Sequence, residues 1–123
     1  MGGEGLVFPL DFDEEALAED LARTSEGGVE ALDGLRIEIE QLGGLPHSRL
    51  KTCDAEGEDG TNLDGCVKTY VPWPDGRFGC VMVAVNHPER PLGLRVIAFG
   101  VRHQPREANA FSVYEVAHRR LHR

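Results

Sequence analysis

The first dozen residues predict a strand that runs into a short helix. The apolar segment 5–12 contains Pro9, which suits an edge strand because proline cannot donate a hydrogen bond to a central sheet ladder. Asp11, with Glu14 three residues later, is a candidate helix cap. The apolar stripe of the helix that follows consists of Ala16, Leu17, Leu21 and Ala22.

Apolar residues at spacings of three and four predict a second helix with one buried face. They are Val29, Leu32, Leu35, Ile39 and Leu42. Gly43, Gly44 and Pro46 follow and are expected to end this helix, because glycine takes the left-handed backbone conformation of a helix C-cap without strain.

From Cys66 onward the apolar period changes to that of strands. Segment 66–71 alternates, which puts Lys68 and Tyr70 on one face and Val67, Thr69 and Val71 on the other. Segments 78–85 and 94–101 are almost continuously apolar, as central strands covered on both faces tend to be.

The last periodic segment predicts a short helix that begins after Ser112. Glu115 lies three residues beyond it, which is the spacing of a capping box, and Phe111 and Val116 are placed to form a hydrophobic staple. Several cations follow at the C-terminal end, where the helix dipole favours positive charge. We therefore predict one α+β domain, 1–123: a small antiparallel sheet, two N-terminal helices packed on one face and a short C-terminal helix.

Charge is divided unevenly along the chain. Residues 1–64 hold 17 acids and 4 Lys or Arg, whereas residues 65–123 hold 4 acids and 9 Lys or Arg. This asymmetry indicates that the second half faces an anion while the first half meets solvent or a basic partner. No apolar run is long enough for a membrane helix and the N-terminus lacks the features of a secretory signal, so we expect a cytoplasmic protein with no membrane contact.

Metal and disulfide signals are weak. Three cysteines without C-x-x-C spacing favour buried thiols, although a bridge between Cys66 and Cys80 stays open. The acidic segment 52–65 lacks the Gly and Glu that a calcium loop requires. His118 and His122 are four residues apart on a helix but have no third ligand in view, so we expect no metal and no cofactor.

The order of elements and three short motifs resemble the RelE/ParE toxins of bacterial type II toxin-antitoxin pairs. The motifs are FPLDFDEEAL at 8–17, LDGCVKTYV at 63–71 and VIAFGVRH at 96–103 with SVYEVAHRRL at 112–121. The resemblance implies a toxin that cuts messenger RNA on the ribosome without a metal, and a cognate antitoxin as its protein partner. It also implies an alternative function, that of a non-catalytic module of the same fold that inhibits gyrase or only binds an antitoxin.

Under this resemblance, individual functional positions of the family match residues of this chain. Arg102 matches a functional Arg, Tyr114 matches a Tyr near the closing helix, and Lys68 matches the first of two Lys on the second strand. The second Lys falls on Tyr70, and an Arg on the third strand falls on Gly79, with Arg77 as the nearest substitute. The interval between Arg102 and Tyr114 is also longer than the family's.

Metal-free RNA cleavage needs a proton acceptor, a proton donor and cations fixed against the phosphate. We assign the phosphate charge to Arg102 and Arg77, and electrostatic support or proton acceptance to Lys68. Tyr114 is a candidate for holding the nucleotide, and His103, which titrates near neutrality, for acid-base chemistry. Candidate RNA-binding cations are Arg106, Arg119 and Arg120.

Each of these residues also has a structural interpretation. Tyr114 at a helix start often serves packing, and a histidine placed like His103 is more often an ordinary loop residue. Arg102 could pair with an acid of the first half. The sequence therefore leaves open whether the chain is an active ribonuclease, a binding module of the same fold or an unrelated domain.

Overall fold

A computed structural model describes residues 6–23, 27–53, 61–72, 76–87, 90–102 and 112–122. In chain order the elements are β1 (Val7–Phe8), β2 (Leu10–Phe12), α1 (Glu14–Arg23), α2 (Gly28–Leu42), β3 (Leu45–Pro46), a 3-10 helix (His47–Arg49), β4 (Lys51–Thr52), β5 (Val67–Val71), β6 (Phe78–His87), β7 (Arg90–Val101) and α3 (Val113–Leu121). The fold class is α+β, as the sequence predicts.

The main sheet has five strands in the order β2-β7-β6-β5-β4, and β1 and β3 form a separate antiparallel pair. The pairs β4–β5, β5–β6 and β6–β7 are antiparallel. The edge strand β2 instead pairs in parallel with β7, with Asp11 opposite Arg95. The expectation of a wholly antiparallel sheet is therefore wrong at this edge, because alternation of side chains specifies which face is buried and carries no information about strand direction.

Two apolar cores lie on opposite faces of the sheet. One packs the sheet against α1 and α2, and its largest fully buried side chains include Phe78, Leu35 and Met82. The other packs it against α3 around Val81, Val113 and Ala117. Helices thus cover both faces of β6 and β7, as their nearly continuous apolar sequences predict.

Cys66 and Cys80 belong to these two different cores. The bridge between them that the sequence left open is therefore not formed, and all three cysteines are thiols. Burial raises the pKa of the Cys80 thiol to about 12, with a smaller contribution from the negative charge of Asp20.

Two details of the helices differ from the sequence prediction. Helix α1 is capped by Asp13, whose Oδ1 accepts a hydrogen bond from Ala16 N at 3.2 Å, because Asp11 is held in the β2 ladder. On α2 the buried positions are Gly28, Ala31, Leu32 and Leu35, so Val29 and Leu42 are exposed. The predicted end of α2 is confirmed, since Gly43 has a φ of 77°.

A buried ion pair joins α1 to α3 at an edge of the sheet. The Arg120 guanidinium donates to both carboxylate oxygens of Asp20, at 2.7 and 2.8 Å. The Asp20 carboxylate also accepts from Phe99 N, and Arg120 donates to the carbonyl of Ile97. The N–H of Phe99 and the carbonyl of Ile97 belong to β7 but lie beyond the residues that pair with β2. The Asp20–Arg120 pair therefore supplies hydrogen-bond partners to backbone groups that no neighbouring strand reaches.

Among the described residues no helix is long and apolar enough to cross a membrane.

Candidate functional site

Five side chains from four parts of the chain meet on the α3 face of the sheet. They are Lys51, Lys68, Tyr70, Arg102 and Tyr114, and we refer to them as the cationic cluster. Alternation along β5 sends Lys68 and Tyr70 to the same face, and register places Lys51 of β4 directly beside Lys68. Arg102 follows the last residue of β7, and Tyr114 lies in the first turn of α3.

Arg102 is the most constrained member of the cluster. Its Cζ lies 3.6 Å from the ring centroid of Tyr70, which is the geometry of a stacked guanidinium. Its Nη1 donates to the carbonyl oxygen of Gly76 at 3.3 Å, and its backbone N donates to the carbonyl oxygen of Arg77 at 2.8 Å. Its Nε is buried and has no hydrogen-bond partner among the described residues.

Gly79 makes room for the Arg102 side chain. A Cβ at position 79 would lie 3.1 Å from Arg102 Cγ and 3.2 Å from the carbonyl oxygen of Thr69. The position where the resemblance expects a third-strand Arg is therefore already covered by the stem of Arg102. A larger side chain at 79 would therefore require the Arg102 side chain or the Thr69 backbone to shift.

Tyr114 completes the cluster from the helix side. Its ring lies 5.1 Å from Lys68 Nζ, and its hydroxyl is hydrogen-bonded to Arg102. Partial burial raises the pKa of Tyr114, and the Arg102 hydrogen bond and the Lys68 charge offset only part of this rise. Tyr114 therefore keeps its proton at neutral pH. Lys51 Nζ lies 5.4 Å from the Tyr70 ring centroid.

The positive charge of the cluster is not neutralised by a carboxylate among the described residues. The ion pairs there join Arg23 to Glu19, Arg36 to Glu14, Arg49 to Glu38, and Arg120 to Glu19 and Asp20. Three cations gathered around two aromatic rings attract an anion, and the rings offer apolar surface next to it. A nucleotide phosphate beside its base combines these two properties.

The other predicted site residues in the described part of the chain have different surroundings. Arg77 is exposed, and its Cζ lies 5.1 Å from the ring of Phe78, which packs in the core on the α1 and α2 face. The Arg120 guanidinium is held by Asp20, and Arg119 is exposed on α3. His103 and Arg106 lie outside the described residues.

The histidine pair of α3 has a structural role. His118 Nδ1 accepts a hydrogen bond from Asn62 N at 2.8 Å, and His122 Nε2 lies 3.0 Å from Asn62 O. Both imidazoles therefore hold the segment before β5 against the helix. No group of three or more candidate metal ligands occurs in the part of the chain that is described.

Sequence reasoning missed Lys51 and did not assign a role to Tyr70. Lys51 lies on a two-residue strand that no alternation could reveal, and its position beside Lys68 depends on the β4–β5 register. Tyr70 could have been found from its spacing to Lys68, since residues two apart on a strand share a face.

Comparison with protein-family models, with curated proteins and with solved structures gives no match to this chain. The resemblance to RelE/ParE toxins therefore stays a prediction from its motifs.

Proposed function

We propose that this chain is the toxin of a type II toxin-antitoxin pair, which binds messenger RNA on the ribosome and cleaves it without a metal ion. The observation that carries the proposal is the meeting of Lys68, Arg102 and Tyr114, three residues far apart in sequence, in one cationic cluster. A toxin with this role acts in the cytoplasm and has a cognate antitoxin as its protein partner.

The chemistry of metal-free RNA cleavage matches the groups available. The 2′-hydroxyl attacks the neighbouring phosphate, negative charge accumulates on the phosphate oxygens and the 5′-oxygen leaves. Arg102, held by stacking on Tyr70, presents a fixed positive charge to those oxygens, and Lys68 adds a second. Because a guanidinium N–H can only donate, the Tyr114 oxygen accepts from Arg102, and the hydroxyl proton of Tyr114 is left to donate to the RNA.

A second candidate function, RNA binding without cleavage, is favoured by one feature of the same cluster. Its members are three cations and two tyrosines, and they include no carboxylate or imidazole, the side chains that most often serve as general bases. Burial also raises the pKa of Tyr114. Binding needs only the cations and rings, whereas cleavage also needs a base. His103 is the candidate base suggested by the sequence.

The surface of α1 and α2 supports an antitoxin contact. Glu14, Glu15 and Glu19 lie on α1, and Val29 and Ile37 are exposed on α2. An antitoxin segment that carries both basic and apolar side chains would complement this surface. It lies across the sheet from the cationic cluster.

The decisive experiment maps messenger RNA ends by primer extension on translating ribosomes supplied with the purified protein. We expect new 5′ ends with the wild-type chain, a loss of about a hundredfold or more in rate with Arg102→Ala, and a smaller loss with Tyr114→Phe. Arg23→Ala, which removes an exposed cation of α1, is the matched control and should cleave normally. Binding without new ends identifies the non-catalytic function, and the absence of both overturns the proposal.

A further inference from the structure

Cys53 and Cys66 face each other where β4 ends and β5 begins. The register Lys51 with Lys68 and Thr52 with Val67 leads, one position further, to Cys53 opposite Cys66. Cys53 N donates to the carbonyl oxygen of Cys66 at 3.1 Å, so the strands remain side by side at this position. Both side chains contribute to the core beneath α3.

The position of the two cysteines suits a disulfide. They share one backbone hydrogen bond, since Cys66 N donates to the carbonyl oxygen of Leu63. Directly opposite residues of antiparallel strands have Cα atoms about 4.5–5.5 Å apart, inside the range of about 4.4–6.8 Å that disulfides span. Cys80 cannot compete, because it is buried in the core on the other face.

The two thiols differ in accessibility. Cys53 is half-buried, whereas Cys66 is almost fully buried. Burial and the charge of Asp64 raise the pKa of Cys66, which makes it a poor first nucleophile. Cys53 is therefore the thiol that an external reagent meets first, and Cys66 is the thiol that lies beside it to react second.

We propose that Cys53 and Cys66 form a reversible redox site that low-molecular-weight disulfides oxidise to an intramolecular bridge. The Cys53 thiolate attacks the small disulfide, forms a mixed disulfide and releases one small thiol. Cys66 then attacks Cys53 Sγ, and the second small thiol leaves. Two protein thiols are thus oxidised and one small disulfide is reduced to two thiols.

The disulfide should raise the stability of the domain whether or not the protein binds RNA. It joins β4, the edge strand that carries Lys51, covalently to β5. It also closes residues 53–66 into a ring, which restricts the unfolded chain. For a loop of about this length in a domain of this size, we expect the thermal midpoint to rise by about 10 °C.

The test treats the fully reduced chain with oxidised glutathione, blocks remaining thiols with iodoacetamide and measures intact mass and linked peptides. We expect a monomer that has lost two hydrogens, with 53 linked to 66 and Cys80 unreacted. Dithiothreitol should restore the original mass and the original thermal midpoint.

Three variants make the test specific. Cys80→Ala should still form the bridge, whereas Cys66→Ser should stop at a stable mixed disulfide on Cys53, and Cys53→Ser should react slowly or not at all. A wild-type chain that accumulates the mixed disulfide, links Cys80 or forms only intermolecular dimers would overturn the proposal. RNA cleavage is not measured, so the result is separate from the fate of the toxin hypothesis.

Discussion

The guanidinium of Arg102 stacks on the ring of Tyr70, with 3.6 Å between Arg102 Cζ and the ring centroid. A stacked guanidinium has few accessible rotamers, so its charge stays in one place. The arrangement of the cationic cluster therefore depends on an aromatic side chain near the end of β5 and on a cation that directly follows β7.

The ring of Tyr70, rather than its hydroxyl, should be the part that matters for RNA binding. We expect Tyr70→Leu to weaken binding of a labelled single-stranded RNA about fivefold in fluorescence anisotropy, because a cation–π contact of this kind contributes about 1 kcal/mol. Tyr70→Phe keeps the ring and should bind within about twofold of wild type. Equal losses in the two variants would show that stacking does not organise the site.

Substitutions at Gly79 and Gly100 form a matched pair that tests whether RNA binding depends on the position of the Arg102 side chain. The two glycines are partners across β6 and β7, but a Cβ at 79 would crowd Arg102 Cγ at 3.1 Å, whereas the nearest described atom to one at 100 is Val113 Cβ at 3.9 Å. We expect Gly79→Ala to weaken RNA binding about tenfold and to destabilise the domain by about 1–3 kcal/mol. Gly100→Ala should leave binding unchanged. Anisotropy and urea unfolding distinguish the two, and a Gly79→Ala variant that binds normally would contradict this account.

Features specified by nearby residues could be predicted from the sequence. The Ser112 cap is an example, since Ser112 Oγ accepts from Glu115 N at 3.3 Å as the capping pattern predicts. The side-by-side arrangement of Lys51 and Lys68 could not be predicted, because it depends on the pairing of two strands that lie apart in the chain. The role of Arg120 was missed for the same reason, since its partner Asp20 is on the first helix and nothing local distinguishes that carboxylate.

The Asp20–Arg120 pair should matter for stability. Its side chains are only 4% and 10% exposed, and loss of the Asp20 carboxylate leaves the Arg120 guanidinium with only the half-exposed Glu19, at 3.6 Å, as an ionic partner. We expect Asp20→Asn to lower the free energy of unfolding by about 3–5 kcal/mol in urea titrations. Glu14→Gln removes a partner of the exposed Arg36 and should cost less than about 1 kcal/mol. An Asp20→Asn variant as stable as the Glu14→Gln control would refute this role.

The two lysines of the cluster should make measurable phosphate contacts. Each cation that neutralises a phosphate of single-stranded RNA adds about 0.7 to the slope of log affinity against log salt concentration. We therefore expect Lys51→Ala and Lys68→Ala each to reduce this slope by about that amount. Arg23→Ala, on α1, should not change it. Unchanged slopes in both lysine variants would place the RNA elsewhere on the surface.

Cys80 should make the domain less stable in mild alkali. Its pKa is raised from 9.0 to about 12, so between these values the unfolded chain releases the thiol proton while the folded chain retains it. The contribution of the protonated thiol is complete below pH 9.0 and is lost as pH rises toward 12. At pH 9.5 this loss is about 1 kcal/mol relative to neutral pH. The measurement compares urea unfolding at pH 7.5 and 9.5 for wild type and Cys80→Ala, which lacks this titration. The variant starts from a lower stability but should lose about 1 kcal/mol less over the same interval. Parallel pH dependence in the two proteins would mean that the Cys80 thiol is ionised in the folded state as readily as in the unfolded chain.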